Sequence, residues 1–318
     1  MDQPAKHADA PWRREYPFAS RWLQLEQGAM HYVDESPARN SAGVVLFVHG
    51  NPTWSFHWRR LIAAAQHERR CVAVDHLGCG LSDKPARPFR LADRIEHLGR
   101  LVDELDLRDV TLVAQDWGGA IGLGAMLQRK DRLSALMLLN TGAWPPRRAP
   151  RRIAVCRTPV LGRLALQGGN LFSLAALRMT TEKPLDSAVR SGYLAPYNSW
   201  SNRRAVFEFV NDIPTGPSHP TWRTLAQIER RLPELAGLPI RLVWGMRDWC
   251  FDRACLERFC EIWAAAPDLR VRRLERAGHW VAEDAPEVCA AELTSLIAEC
   301  DGPADPARAD AGAARESV

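Results

Sequence analysis

No stretch of eighteen consecutive apolar residues occurs in this sequence, so no helix that crosses a bilayer is expected. The opening residues, Met1 to Asp9, hold no apolar segment of the kind a secretory signal needs. An excess of one charge is also missing. Against 42 basic side chains stand 38 acidic ones, a net charge of +4, too even to argue for a nucleic-acid partner. The eight cysteines form no Cys-x-x-Cys pair and no zinc knuckle. Cys250, Cys255 and Cys260 recur every five residues and the rest are scattered, which fits reduced thiols in a cytoplasmic protein. Neither a metal-ligand spacing nor a phosphate-cradling glycine loop is present, so no metal and no cofactor are expected. No internal repeat is visible.

The 318 residues suit one large domain, or one domain with an insertion. Apolar residues make up 46% and charged residues 25%, an ordinary globular balance. Apolar runs at Val44–Val48, Arg70–Val74, Val110–Ala114, Leu133–Leu139, Ile240–Trp244 and Leu269–Leu274 read as strands of a buried parallel sheet. Helical patterns fall between them, over Trp58–His67, Leu91–Leu105, Ala120–Gln128, Asp252–Ala265 and Pro286–Glu299. The alternation predicts an α/β fold, a mostly parallel sheet with helices on both faces. It breaks over residues 141–219. Short apolar pieces there, with Trp144, Phe172, Tyr193, Tyr197, Trp200, Phe207 and Phe209, predict an inserted helical cap with proline-rich hinges. Residues 21–140 and 220–300 then form the core, 1–20 a loose arm and 301–318 a disordered tail. Twelve tryptophans fit either a large apolar pocket or ordinary core packing. The basic cluster Arg147–Arg152 at the cap entrance reads as a solvated face or as a docking site for an acidic partner.

The segment Val110 to Ala120 reads as a strand, a tight turn and a helix, the small-x-nucleophile-x-Gly elbow that lifts one side chain to the top of a sheet. That side chain is Asp116, where a serine is the usual occupant. A carboxylate attacks carbon directly and leaves an ester on the enzyme. The chemistry therefore points away from lipases and peptidases, toward substrates with a leaving group on carbon or a strained ring. The order nucleophile, acid, histidine nominates His279, after the last strand and a Gly-containing turn, as base. Asp248, just after the Ile240–Trp244 run, is its acid partner; Asp252 is the rival, and a helix N-cap is the alternative role for Asp248. Developing negative charge would be met by the backbone N–H of Trp117 and one from the His49-Gly-Asn-Pro loop. The Asn51 amide and the Trp117 indole add side-chain donors. His49 is read as serving the backbone turn, and Asp75 with Ser82–Pro85 as a structural loop.

These residues resemble the α/β-hydrolase superfamily across nearly the whole chain. The segments His49–Phe56, Gln115–Gly119 and Gly278-His279 are similar to the haloalkane dehalogenase group, and Asp116, His279, Asp248, Asn51 and Trp117 match its catalytic set. Ala114 replaces the usual first glycine of the elbow. Epoxide hydrolases share the Asp-Trp-Gly-Gly elbow and use two cap tyrosines, for which Tyr193 and Tyr197 could be proposed, but Asn51 argues against them. The segments His76–Pro85, Tyr193–Tyr197, Phe209–Pro214 and Trp244–Phe251 resemble the third dehalogenase subfamily, which includes the OleB-type β-lactone decarboxylases. That resemblance implies decarboxylation of a cis-3-alkyl-4-alkyloxetan-2-one to a cis-alkene and carbon dioxide in long-chain olefin biosynthesis. It implies a hydrophobic substrate with two alkyl chains in a tunnel lined by the cap aromatics. It also implies work beside condensing, reducing and lactone-forming partner enzymes. The alternative is haloalkane dehalogenation on the same residues.

Overall fold

The computed structural model describes residues 10–37, 43–146, 156–158 and 160–301. The basic cluster Arg147–Arg152 and residues 302–318 of the expected tail lie outside the described residues. Along the chain the elements are β1 (Ser20–Leu25), β2 (Gly28–Glu35), β3 (Val44–Val48), α1 (Arg59–Ala65), β4 (Arg70–Val74), α2 (Leu91–Glu104), β5 (Val110–Asp116), α3 (Trp117–Met126) and β6 (Leu133–Thr141). After β6 come helical turns at Leu161–Arg163 and Leu164–Gly168, then α4 (Leu171–Met179), α5 (Ser187–Leu194), α6 (Arg204–Asn211) and α7 (Pro220–Arg231). The chain closes with β7 (Ile240–Gly245), α8 (Arg253–Ile262), β8 (Leu269–Leu274), α9 (Val281–Asp284) and α10 (Pro286–Asp301). None of these helices is long and apolar enough to cross a membrane.

The eight strands form one sheet in the order β1-β2-β4-β3-β5-β6-β7-β8. Pairings from β4 through β8 are parallel, while β1–β2 and β2–β4 are antiparallel. Every residue of β3 and β5 is buried, because these central strands are covered on both faces. Alternate side chains divide accordingly. Leu46, Val48, Leu112 and Ala114 enter one apolar cluster, and Val45, Phe47 and Val113 the other. The outer strand β8 carries Arg270, Arg272 and Arg273, charges of the kind that keep a sheet edge from pairing with another chain.

The six strands expected from apolar runs are present, β5 and β6 each two residues longer at the carboxyl end. The hairpin β1–β2 was not foreseen. Its strands are only half-buried, and Leu25 and Gly28 flank a Glu26-Gln27 turn that lacks the usual Asn-Gly or Asp-Gly signal. The expectation of a loose arm over residues 1–20 fails from Ala10 onward, and residues 1–9 lie outside the described residues. Pro11–Glu15 form a 3-10 turn, and Trp12, Tyr16 and Phe18 are buried. Trp12 meets Trp54 edge-on at 5.5 Å, and Tyr16 donates to or accepts from Ser55 Oγ at 2.5 Å. Three aromatics within seven residues bury enough apolar surface to outweigh the polar composition around them. The same turn packs on α5, so the arm ties the segment between β6 and β7 to the sheet. Trp12→Ala is expected to destabilise the fold by about 3–5 kcal/mol in urea unfolding; a loose arm would leave the midpoint unchanged.

Candidate active site

All the expected site residues lie at or just beyond the carboxyl ends of parallel strands, where open α/β sheets present their binding crevice. Asp116 ends β5 with φ 53° and ψ −131°, a conformation that costs a non-glycine residue about 1–3 kcal/mol. The surroundings hold it there. Thr141 Oγ1 donates to the Asp116 carbonyl at 2.5 Å, and the β5–β6 register shifts between Gln115 and Asp116. A Cβ on Gly118 would overlap the Val48 carbonyl, so only glycine lets α3 start this close to β3.

Asn51 N donates to Asp116 Oδ1 at 2.7 Å. The backbone donor expected for a developing anion thus already grips the nucleophile candidate. One hydrogen of the Asn51 amide goes to the Val206 carbonyl at 3.2 Å, which fixes the side chain against α6. His279 Nδ1 donates to Asp248 Oδ2 at 2.7 Å, and its Nε2 stands 3.6 Å from Asp116 Oδ2. The other oxygen of Asp248 accepts the Cys250 N–H at 2.6 Å. The rival Asp252 caps α8 instead, accepting from Ala254 N and Cys255 N. Nucleophile, histidine and acid candidates therefore form one buried line.

Burial pushes the Asp116 carboxyl above its ordinary range, partly offset by the His279 charge and by the backbone N–H groups of Asn51 and Trp117. Burial works against the His279 imidazolium, but the charge and hydrogen bond of Asp248, with Asp116 behind it, outweigh that and hold its pKa above the usual value. His279 is thus shifted toward the imidazolium, whose charge works against the burial that raises Asp116.

A cavity of about 930 Å³ opens above Asp116, lined by Asn51, Trp117, Trp144, Phe172, Val210 and Phe251 among others. It runs outward between α7 and α8 to Glu229 and Glu261. Of the aromatics expected to line it from residues 141–219, only Trp144 and Phe172 do so. Tyr193, Tyr197 and Phe209 are core residues, and Trp200 is exposed. The Tyr193 hydroxyl donates to Glu283 at 2.6 Å and lies 2.8 Å from His57 Nδ1, while Tyr197 donates to the Thr53 carbonyl at 3.0 Å. Neither phenol is available as an acid for a substrate above Asp116.

A search against family models matches residues 43–286 to the alpha/beta hydrolase fold. The chain belongs to the α/β-hydrolase fold family. Among curated relatives of this α/β-hydrolase-fold protein, a cis-3-alkyl-4-alkyloxetan-2-one decarboxylase of Shewanella oneidensis is 34% identical, over 90% of each chain. Haloalkane dehalogenase 2 of Mycobacterium tuberculosis is also 34% identical, over 87% of this chain and 94% of that one. Among solved structures, haloalkane dehalogenase DatA of Agrobacterium tumefaciens C58 superimposes with a TM-score of 0.78 at 25% identity, covering 89% of this chain and 97% of that one.

Several supporting residues escaped sequence reasoning. Asn140 stands near the carboxyl end of β6. In the fold it is fully buried, accepts from Gly245 N at 2.7 Å and donates to the Gly245 and Phe251 carbonyls. It thereby pins both ends of the loop that carries Asp248. Asp284 accepts the Gly278 N–H at 2.7 Å, and Gln115 donates to the His279 carbonyl. Their partners lie far away in sequence, except for Gly278, and no spacing rule connects them. Removing the Asn140 amide in Asn140→Ala leaves the Gly245 N–H buried without its acceptor. The expected cost is about 1–3 kcal/mol in chemical denaturation, with a fall in turnover larger than any change in KM.

Proposed function

We propose that this protein decarboxylates cis-3-alkyl-4-alkyloxetan-2-ones to cis-alkenes and carbon dioxide, with Asp116 as nucleophile, His279 and Asp248 as its charge partners, and Asn51 and Trp117 as anion donors. The observation that carries the reading is an aspartate at the elbow, lined up with His279 and Asp248 under a large apolar cavity, in a chain that matches a decarboxylase of this name over 90% of its length. At about 930 Å³ the cavity is near the top of the usual range of roughly 300–1,000 Å³, room enough for two alkyl arms. Each buried methylene contributes about 0.8 kcal/mol, so the arms supply much of the affinity.

The chemistry needs no water. Asp116 attacks the alkyl-bearing ring carbon that is bonded to the ring oxygen; a C–O bond forms to the enzyme and the bond from that carbon to the ring oxygen breaks. The freed electron pair stays on the departing oxygen as a carboxylate, held by the Trp117 indole and the Asn51 amide. The bond from the adjacent carbon to that carboxylate then breaks. Its electrons form the alkene and expel Asp116, releasing carbon dioxide. No proton moves, and His279 serves as a fixed positive charge between two carboxylates. A place in olefin biosynthesis, in the cytoplasm and beside the enzymes that make the lactone, follows from that substrate.

The rival is haloalkane dehalogenation, favoured by the equal identity to haloalkane dehalogenase 2. There Asp116 displaces halide and His279 activates water to cleave the ester. Turnover of a cis-dialkyl β-lactone and of a 1-bromoalkane in oxygen-18 water separates the two. Alkene without label on the Asp116 peptide is the expected result. Bromide release with label on that peptide makes the protein a dehalogenase.

The pH profile provides a second discriminator. Decarboxylation requires Asp116 ionised and His279 charged, so kcat/KM falls as pH drops through the raised Asp116 value and falls again as pH rises through the raised His279 value. Asp248→Asn, which removes the main group raising His279, is expected to bring the alkaline limb to lower pH. A hydrolytic base shows the opposite alkaline trend, gaining activity as His279 loses its proton.

A further inference from the structure

Eight large apolar side chains are exposed among the described residues, and seven of them fall between Val160 and Trp200. Val160, Leu161 and Leu164 are 69%, 73% and 53% exposed, and Leu171, Leu174 and Met179 are 54%, 41% and 41% exposed. Soluble surfaces scatter such residues singly, and a cluster marks a contact. On α4 the exposed positions are Leu171, Leu174, Ala175, Arg178 and Met179, spaced i, i+3, i+4, i+7 and i+8, so the helix face turned outward is apolar with one basic side chain near its end. The opposite face, with Ser173, Ala176 and Leu177, is buried.

The charged side chains within this stretch of chain have one sign. Between Asp131 and Glu182 the chain has no Asp or Glu. Exposed Arg163 and Arg178 flank the leucines, and the Arg163 guanidinium lies over the exposed Trp200 ring at 5.7 Å. Arginine stems and a tryptophan beside leucines are the chemistry of a surface that sits in a lipid headgroup region. The patch also adjoins the cavity. Phe172, next to Leu171, lines it, and so does Trp249, whose indole donates to the Met179 carbonyl at 3.1 Å. The carboxylates of the cavity mouth, Glu229 and Glu261, belong to α7 and α8, and Arg258 pairs with both.

We propose that the exposed face of Val160–Met179 and Trp200 docks on an anionic lipid surface, with the arginines at the headgroups, the leucines among the acyl chains, and the cavity mouth beside the membrane. The charged side chains that the face itself presents, Arg163 and Arg178, are basic, and a basic apolar face matches an anionic bilayer. The inference stands on the surface alone and does not depend on which substrate Asp116 attacks.

Co-sedimentation of the purified full chain with vesicles tests it. Vesicles of phosphatidylglycerol and phosphatidylethanolamine are expected to carry the protein down, and phosphatidylcholine vesicles to bind it much less. Each arginine near an anionic surface contributes roughly fivefold, so Arg163→Glu with Arg178→Glu should reduce partitioning by about 25-fold or more. Leu171→Glu with Leu174→Glu should abolish it. All these positions are exposed, and an unchanged melting temperature confirms that the variants fold. No binding to anionic vesicles, or binding that the leucine variant retains, overturns the proposal. So does a mass above the monomer, without lipid, that the leucine variant returns to monomer, since the face would then hold a second copy of this chain.

Discussion

A carboxylate buried at the end of a central strand is costly, and the site is arranged around that cost. Desolvation raises the Asp116 pKa and works against its reactive, ionised form. The Asn51 N–H at 2.7 Å, the Trp117 backbone N–H and the imidazole 3.6 Å away reduce the penalty. Asp248, 2.7 Å away, in turn raises the pKa of the imidazole and favours its charged form. Each partner arrives on a different loop, after β3, β5, β7 and β8, so the sheet must bring four strand ends into one register before any of them is useful. Strain at the elbow belongs to the same arrangement. An unfavourable φ/ψ persists at Asp116 because its carbonyl is bonded to Thr141 and the next turn is packed against Val48.

The segment between β6 and β7 is more than a cover for the cavity. Val206 on α6 accepts from Asn51, and Tyr197 donates to Thr53, so it fixes the loop that grips Asp116. On the other side Trp280 N donates to the Thr180 carbonyl, and Asp284 accepts from Gly278, Glu182 and Lys183. The loop carrying His279 is therefore shared between the sheet and the segment after α4. Beneath it, Arg59 and Glu283 form a buried two-bond ion pair joined by Tyr193, so α9 cannot shift without breaking a desolvated pair. Both the nucleophile candidate and the histidine are thus referenced to the same helical segment between β6 and β7 that contributes to the apolar cavity.

Most of the strands legible from the sequence are buried on both faces, because continuous apolar runs such as Val44–Val48 carry their own signal, whereas the edge strand β8 was legible although it is part-exposed and carries three arginines. The hairpin β1–β2 is half-solvated, and its turn carries no glycine dipeptide, so composition concealed it. The arm was misread for the opposite reason. Polar neighbours masked Trp12 and Tyr16, whose burial depends on Trp54 and Phe56 across the fold. Tyr193 and Tyr197 looked like cavity residues by their place in the chain, whereas the packing turned their hydroxyls toward Glu283 and Thr53.

Local chain order was enough to nominate Asp116, His279 and Asp248, since the elbow and the strand-loop contexts are short patterns that depend on neighbours within a few residues. The sequence could not reveal that Asp252 caps a helix, that Asn140 ties the Asp248 loop, or that the Asn51 backbone is spent on Asp116 itself. Those assignments rest on hydrogen bonds between positions 65 to 105 residues apart or on local cap geometry. The composition of the chain determined which chemistry was on offer. Only the tertiary structure decided which polar groups were already satisfied and which still faced the cavity, because each donor is matched to an acceptor by distance in space and not along the chain.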